Sequence, residues 1–544
     1  MGKRGKERKR KAAGLSPEPG ADALINEDDP LGGLEESDVA TTIRTLETLG
    51  RDVALFKSRP FKKLRAALAP CALALVGQDS TDDRQRRKLE RGGGDDEERR
   101  RVMDRDAKNR TALRKERLDR LETAGLVADG PALARPLLLT DGAAEQVRAI
   151  TCYCCKTPFS ELHHFYASLC PTCASLNFEK RTQTVDLRGR GALVTGARVK
   201  IGFRVALKLL RAGATVIATS RFPADAAQRF AAEADAAAWR DRLRVAGCDF
   251  RDLGAVEALC RAVPALLGCS LDILVNNACQ TVRRPPQYYS QTVAREATLR
   301  RAIGNASLPL LEGPAIGADD VTQGADVTMM RLWTKAAPSS SDPALRALLC
   351  VAPGDDVRDD AAFPAGLKDA NADLGEQLDL RRDNSWTQKI DEVSTPELAE
   401  VFAINALAPF VINSKLLPGM KEGASDANRR FVVNVSAMEG KFYRHKQPTH
   451  PHTNMCKAAL NMMTRTCSAD LAKSFIYMTA VDTGWINDEK PTGRAVEHAS
   501  RHDFQTPLDE VDAAARILDP VFAGVVGAAP HRGVFLKDYA PCEW

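Results

Sequence analysis

The sequence predicts an α/β chain whose main body is a doubly wound parallel sheet, preceded by a helical and disordered N-terminal region and a small zinc module. Three observations predict it. Short apolar runs alternate with helical stretches from about residue 181 to 544, the order that a parallel sheet with crossover helices requires. The first of these runs leads into Thr195-Gly196-Ala197-Arg198-Val199-Lys200-Ile201-Gly202 and then into a helical stretch, the strand, glycine turn and helix of a Rossmann-like nucleotide site. Two close cysteine pairs stand just before it, Cys152 with Cys155 and Cys170 with Cys173.

Leu193 and Val194 end the first strand. Gly196 permits the tight turn, and Gly202 lets the backbone approach a pyrophosphate at the start of a helix over 203–210. Thr215-Val216-Ile217-Ala218-Thr219 forms the second strand, ending at Arg221; the third, over 243–248, ends at Asp249, and the fourth, over 271–275, at Asn276. Thr195, Gly196, Arg198, Lys200, Ile201, Gly202, Arg221, Asp249, Asn276, Asn277 and Ala278 are the candidate cofactor residues on this reading, because ligands of doubly wound folds sit at the carboxyl ends of the strands. Thr395-Pro396-Glu397 starts a helix, with a capping residue, proline in the first turn and an acid facing the dipole. Phe431-Val432-Val433-Asn434-Val435 is the fifth strand, ending in Ser436, and the helix after it holds Lys457 and Leu460. The sixth strand covers 476–481 and the last 533–536.

The zinc module, 151–180, rests on ligand spacing. Two pairs of cysteines separated by fourteen residues can set four thiolates around one ion, and four thiolates leave no open position, so the site is structural. His163 and His164 lie between the pairs and could replace one ligand, and Cys154 offers an alternative register. N-terminal to the module, residues 1–36 form a basic tail with nothing to bury: a disordered arm, or a nuclear-import or RNA-contact segment. In 37–150, Val39, Ile43, Leu46, Val53 and Phe56 recur at helical spacing up to Pro60, and 84–122 is mixed-charge, a solvated helix or linker. A net charge of +5 over 544 residues argues against nucleic acid as the partner. No apolar run of about 18 residues is evident, which argues against a membrane span, and the basic start without a following apolar core argues against a secretory signal. A cytoplasmic protein is expected, with nuclear import open through the tail, and its 14 cysteines as thiols and metal ligands.

With these residues in hand, the stretch 186–539 resembles the short-chain dehydrogenase/reductase family. The glycine turn aligns on Thr195, Gly196 and Gly202, with Lys200 where the family's middle glycine is usual, and Asn276-Asn277-Ala278-Cys279 aligns with its asparagine turn. The resemblance implies that Asp249 contacts adenine, Asn405 holds a proton-relay water, Ser436 polarises the substrate, and Lys457 binds the nicotinamide ribose and lowers the pKa of a tyrosine. That tyrosine is absent: four residues before Lys457 stands Thr453, whose aliphatic hydroxyl starts several pKa units too high to replace a phenol. Tyr443 and His452 are the nearest alternative donors. Arg221 stands where NAD-specific sites carry an acid, so NADP is favoured over NAD.

Residues 283–394 are far longer than a strand-to-helix connection needs. Their centre, 339–375, reads as a flexible excursion. Arg283, Arg284 and Trp386 could recognise an anionic or aromatic substrate, or hold the segment against the sheet. The activity the resemblance implies is NADP-dependent hydride transfer to a small-molecule carbonyl or from an alcohol, with homo-oligomerisation left open. The competing expectation is a catalytically weak dinucleotide-binding scaffold or sensor that uses the zinc module to hold a partner.

Overall fold

The computed structural model describes residues 94–123, 146–303, 310–311, 342–369, 376–442 and 446–544. The basic tail, the helix expected from Val39 to Phe56 and Tyr443 lie outside the described residues. The chain divides into two compact units, Met1–Arg99 and Arg100–Trp544, and the parallel sheet belongs to the second.

Two helices come first, α1 (Gly94–Asn109) and α2 (Ala112–Thr123). They precede a small antiparallel pair, β1 (Gln146–Thr151) and β2 (Pro158–Glu161), and helix α3 (Pro171–Thr182). Of the solvated helix or linker expected over 84–122, α2 is a helix, but one face of it is packed rather than solvated. Leu113 is buried with Ala107 against Tyr166, Leu169 and Leu508, and Arg114 reaches Asp503 at 2.6 Å while Arg117 donates to the Leu508 carbonyl at 2.6 Å. The sequence pattern hides this because the contact is made by two arginines and one leucine rather than by an apolar stripe.

The large sheet then builds in order: β3 (Gly191–Val194), α4 (Lys200–Arg211), β4 (Thr215–Ser220), α5 (Pro223–Ala231), β5 (Leu243–Gly247), α6 (Leu253–Leu267) and β6 (Leu271–Asn276). Helix α7 (Pro286–Ile303) and strand β7 (Leu310–Leu311) belong to the long insertion. They are followed by α8 (Thr395–Phe402), a π turn (Ala403–Leu407), α9 (Ala408–Lys421), β8 (Arg430–Ser436), α10 (Pro451–Ala472), β9 (Ile476–Asp482), α11 (Thr492–His502), α12 (Glu510–Val525), β10 (Phe535–Lys537) and β11 (Ala540–Cys542).

Across the sheet the order is β11-β10-β9-β8-β6-β3-β4-β5-β7. Every pairing is parallel except that of the edge strand β11 with β10. The chain therefore moves outward from β3 in one direction and then returns past it to β6, which opens a crevice at the carboxyl ends of β3 and β6. One face is covered by α4 and α12 through Leu207, Leu210, Ile517, Val521 and Phe522, and the other by α6 and α9 through Val256, Leu259, Ile412 and Leu416. Strands buried on both faces must be apolar throughout, which is why these runs stood out in the sequence.

Two sequence expectations shift here. The cap of α8 is Ser394, whose hydroxyl accepts from the Glu397 amide at 3.3 Å, and Thr395 is the first helical residue. The helix Thr395–Lys421 is also long and apolar enough, at a mean hydropathy of 1.4, to cross a membrane by length and composition, contrary to the expectation of no such run. In the fold its apolar stripe, with Ile404, Ala408, Ile412 and Leu416, packs into the core, and Asn405 and Asn413 are buried on the same helix.

Candidate active site

The glycine turn and the asparagine turn are locked together before any ligand is considered. Thr195 Oγ1 accepts from the backbone amides of Asn277 and Ala278 at 2.9 Å each, and the Asn277 amide nitrogen donates to the carbonyls of Thr195 and Gly196. A side chain on Gly202 has no room, because its Cβ would lie 2.2 Å from the Gly196 oxygen and 2.5 Å from Asn277 Nδ2. Lys200 adopts φ 53°, the left-handed region that glycine occupies without cost, which accounts for the glycine usual at this position. Helix α4 begins with no side-chain cap among the described residues, so its first amides are open to a ligand. Above them Lys200 Nζ donates across the cleft to the Asn487 side-chain oxygen at 3.0 Å, when that amide's nitrogen donates to the Ile486 carbonyl.

Three other candidate cofactor residues are committed within the protein. Asn276 is buried between Asn434 and Asn413, at 2.9 and 3.2 Å, and so braces the sheet. Arg198 pairs with Asp225 at 2.8 Å and with Glu376 of the insertion. Asp249 accepts from Arg251, whose nitrogens lie 2.7 to 3.1 Å away; burial raises its pKa, but Arg251 outweighs burial and holds the carboxyl at about 2. Arg221 has no carboxylate within ion-pair distance among the described residues, although its charge helps to lower the Asp249 pKa. It meets the Tyr289 hydroxyl at 3.1 Å. Ile201, in the first turn of α4, packs against the core, and Ala278 is part of the locked turn.

Asn405, Ser436 and the pair Thr453 and Lys457 lie on three elements, the π turn, β8 and α10. Asn405 lies in the π turn, a wide turn that breaks the regular helical ladder; its side chain is held in both directions by the backbone of Gln280, at 2.7 and 3.0 Å. Lys457 is buried and donates to the Val435 carbonyl at 2.9 Å. Ser436 donates to Asn461 Oδ1 at 2.7 Å, and Asn461 in turn donates to the Gly440 carbonyl at 3.0 Å. Thr453, Lys457 and Asn461 share one face of α10 at a spacing of four, so the spacing alone could have pointed to Asn461. Thr453 is buried and its hydroxyl has no hydrogen-bond partner among the described residues.

His452 does not share that face. It is buried toward α8, with Nε2 3.7 Å from Glu397 Oε1; burial pushes the Glu397 carboxyl up, but His452 and Ser385 outweigh it and the net shift is down. The residues expected on the substrate side act as anchors. Arg283 pairs with the buried Asp355 at 2.6 and 2.7 Å and with Glu400 at 2.8 Å, Arg284 lies over the Tyr288 ring at 4.8 Å and 3.5 Å from Asp379, and Trp386 stacks on His450 with ring centres 3.9 Å apart. The stretch 342–369 is likewise held, by Arg300 on Asp342 at 2.9 Å and by Phe363 against Tyr288.

In the cysteine module the sulfurs of Cys152, Cys155, Cys170 and Cys173 all lie within 4.8 Å of one another. Zinc–sulfur bonds of about 2.3 Å in a tetrahedron place sulfurs about 3.8 Å apart, so the cluster could hold zinc with little movement. Cys154 points away, its thiol 3.3 Å from Asp538, and His163 Nδ1 accepts from the Phe165 amide; neither belongs to the cluster. The module also touches the cleft: Tyr153 Oη accepts from the Trp485 amide at 2.9 Å, in the loop after β9.

Comparison with known proteins agrees with this architecture. The profile described as "short chain dehydrogenase" matches residues 190–300, and that described as "Enoyl-(Acyl carrier protein) reductase" matches 316–516. The chain belongs to the short-chain dehydrogenase/reductase family, a family of oxidoreductases. An uncharacterized protein of Acanthamoeba polyphaga mimivirus is 29% identical over 68% of this chain and 71% of its own length, and the C-signal protein of Myxococcus xanthus is 31% identical over 18% of this chain and 58% of its own. Among solved structures, the NADPH-bound carbonyl reductase from chicken fatty liver is 18% identical, with a TM-score of 0.38, 66% of this chain covered and 100% of that one. A short chain dehydrogenase from Burkholderia cenocepacia in complex with NADP is also 18% identical, with a TM-score of 0.39, 64% covered and 96% of that chain.

Proposed function

We propose that the protein is an NADP-dependent reductase or dehydrogenase for a small carbonyl or alcohol. The observation that carries the reading is the cradle between β3 and β6: a backbone approach that even one Cβ at Gly202 would fill, an uncapped helix start, and Lys457 at the far end of the same crevice. Bound there, NADP would supply or accept the hydride. Thr195, Gly196, Gly202 and the α4 amides hold the pyrophosphate, with Lys200 as the nearby cation. Lys457 keeps donors free beyond its bond to Val435 for a ribose hydroxyl, and Arg221, with no described carboxylate within ion-pair distance, would pair with a 2′-phosphate. Ser436 polarises the reacting oxygen once its hydroxyl turns from Asn461, and Asn405 holds a relay water. The cysteine cluster is a structural zinc site that steadies the β9 loop through Tyr153.

A second reading, a dinucleotide-binding protein without turnover, is favoured by one observation. The position of the family's tyrosine carries a buried, partnerless hydroxyl at Thr453. The test is NADPH oxidation against a panel of carbonyls, with wild type beside Thr453→Tyr. Turnover in wild type supports the enzyme and requires another donor. Binding without turnover, with activity gained on restoring the phenol by about 10² to 10⁴, supports the binding protein; absence of NADPH binding sinks both.

A further inference from the structure

Arg221 and Asp249, the residues expected at the adenosine end of the cofactor, already have partners that come from, or are held by, the insertion over 283–394, and so do their neighbours. The guanidinium of Arg221 lies 4.6 Å from the centre of the Tyr289 ring, within 3.1 Å of its hydroxyl. Asp249 is saturated by Arg251, which in turn donates to the Arg346 carbonyl at 2.6 Å; the Arg346 guanidinium itself lies 3.9 Å from Asp249. At the start of α5, directly after Arg221, the amides of Ala224 and Asp225 both donate to the Glu296 carboxylate at 2.8 Å. Arg198 is held by Glu376. Phe222 is buried among Val293, Ala344 and Ala347, with Tyr289 packed beside it.

The chemistry of these partners is informative. An adenine offers a π face to an arginine and donors to a carboxylate, and its phosphate offers an anion to a helix start. The insertion presents an aromatic ring to Arg221, a backbone carbonyl to the arginine that covers Asp249, and a carboxylate to the first amides of α5. Glu296 is 1% exposed and Tyr289 is part of a packed aromatic group with Tyr288 at 5.0 Å between ring centres, so these are built contacts.

We propose that the insertion is a built-in competitor for the adenosine half of the cleft: Tyr289 and the segment around Arg346 occupy it, and NADP binds only when they move aside. The proposal rests on the NADP reading and sets the affinity at that site. Because the apparent dissociation constant is the intrinsic one divided by the open fraction, a closed-to-open ratio of about 9:1 weakens binding about tenfold.

Calorimetric titration of the full chain with NADPH tests it, comparing wild type with Tyr289→Ala and, separately, Arg346→Ala. Both variants are expected to bind NADPH about tenfold more tightly. Equal affinity in wild type and a folded variant overturns the competitor and leaves the cofactor reading standing; no NADPH binding by wild type or by either folded variant overturns the cofactor reading and the competitor with it. Should the variants fail to fold, hydrogen exchange on the unmodified chain decides. NADPH is expected to speed exchange in 286–303 and 342–350, and unchanged or slowed exchange there overturns the proposal.

Discussion

Asp482 ends β9 directly across the ladder from Ser436. It is 4% exposed, its Oδ2 has no hydrogen-bond partner among the described residues, and the Lys537 ammonium is 4.0 Å away and already paired with Asp538. Burial dominates, Asp538 and Glu439 add to it, and Lys537 and Arg516 only partly oppose it, so the carboxyl is pushed up from 3.8 to about 6. Between those two values the folded chain keeps a proton that the unfolded chain has released, so stability falls as pH rises through the window. The contribution is complete below about 3.8 and gone above about 6. The gap corresponds to about 3 kcal/mol at most, and about 1 to 2 kcal/mol once water and the nearby Lys537 are allowed to respond. Asp482→Asn keeps the volume and removes the charge. Urea midpoints should show the variant more stable than wild type by about 1 to 2 kcal/mol near pH 7.5, with the difference vanishing near pH 4. A variant less stable than wild type at neutral pH, or an equal difference at both, would mean that Asp482 is an ordinary ion-paired carboxylate and would refute the reasoning.

Gly202→Ala should abolish or weaken NADPH binding by more than about tenfold and cost about 1 to 3 kcal/mol, since a Cβ there meets backbone at 2.2 Å; calorimetry and thermal melting check it, and unchanged affinity would remove the cradle. Arg283→Ala should cost about 3 to 5 kcal/mol by leaving Asp355 buried and unpaired, and denaturation of Arg283→Ala/Asp355→Ala should recover part of that loss. Purified protein should carry one equivalent of zinc by metal analysis, and Cys170→Ser should lose it together with thermal stability; zinc retained in that variant would remove Cys170 from the ligand set.

The parallel sheet was legible because its strands are buried on both faces and therefore read as apolar runs between turn residues, and the Gly196 and Gly202 turn carried its own geometric demand. The zinc pairs were legible because ligand spacing is local. What escaped is held by contacts distant in sequence. Nothing near Arg283 announces Asp355, nothing near Arg198 announces Glu376, and the order in 342–369 follows from such pairs. The excursion expected at the centre of the insertion is, in its described part, pinned at Ala344, Ala347, Asp355, Ala362 and Phe363, with most of the residues between those anchors exposed. Asn461 was within reach of a spacing argument. The partner of Arg221 was not, since Tyr289 is an ordinary aromatic until the fold brings it to the end of β4.

The same geometry ranks the two departures at the catalytic end. Turning the Ser436 hydroxyl from Asn461 to a substrate oxygen exchanges one hydrogen bond for another, a difference of about 1 kcal/mol. Losing a positioned general acid is larger: about 10² to 10⁴ in rate is about 3 to 5 kcal/mol. The Ser436 bond to Asn461 therefore cannot by itself decide between enzyme and binding protein, whereas the proton donor can. Within the described residues His452 is turned toward Glu397 on α8, about 100° around the helix from Thr453. A route through it would have to cross the α8 and α10 contact, close to the π turn that holds Asn405. His452→Ala is thus the variant that separates a donor relayed through Asn405 from a solvent proton: the first loses turnover and its pH profile, the second keeps both.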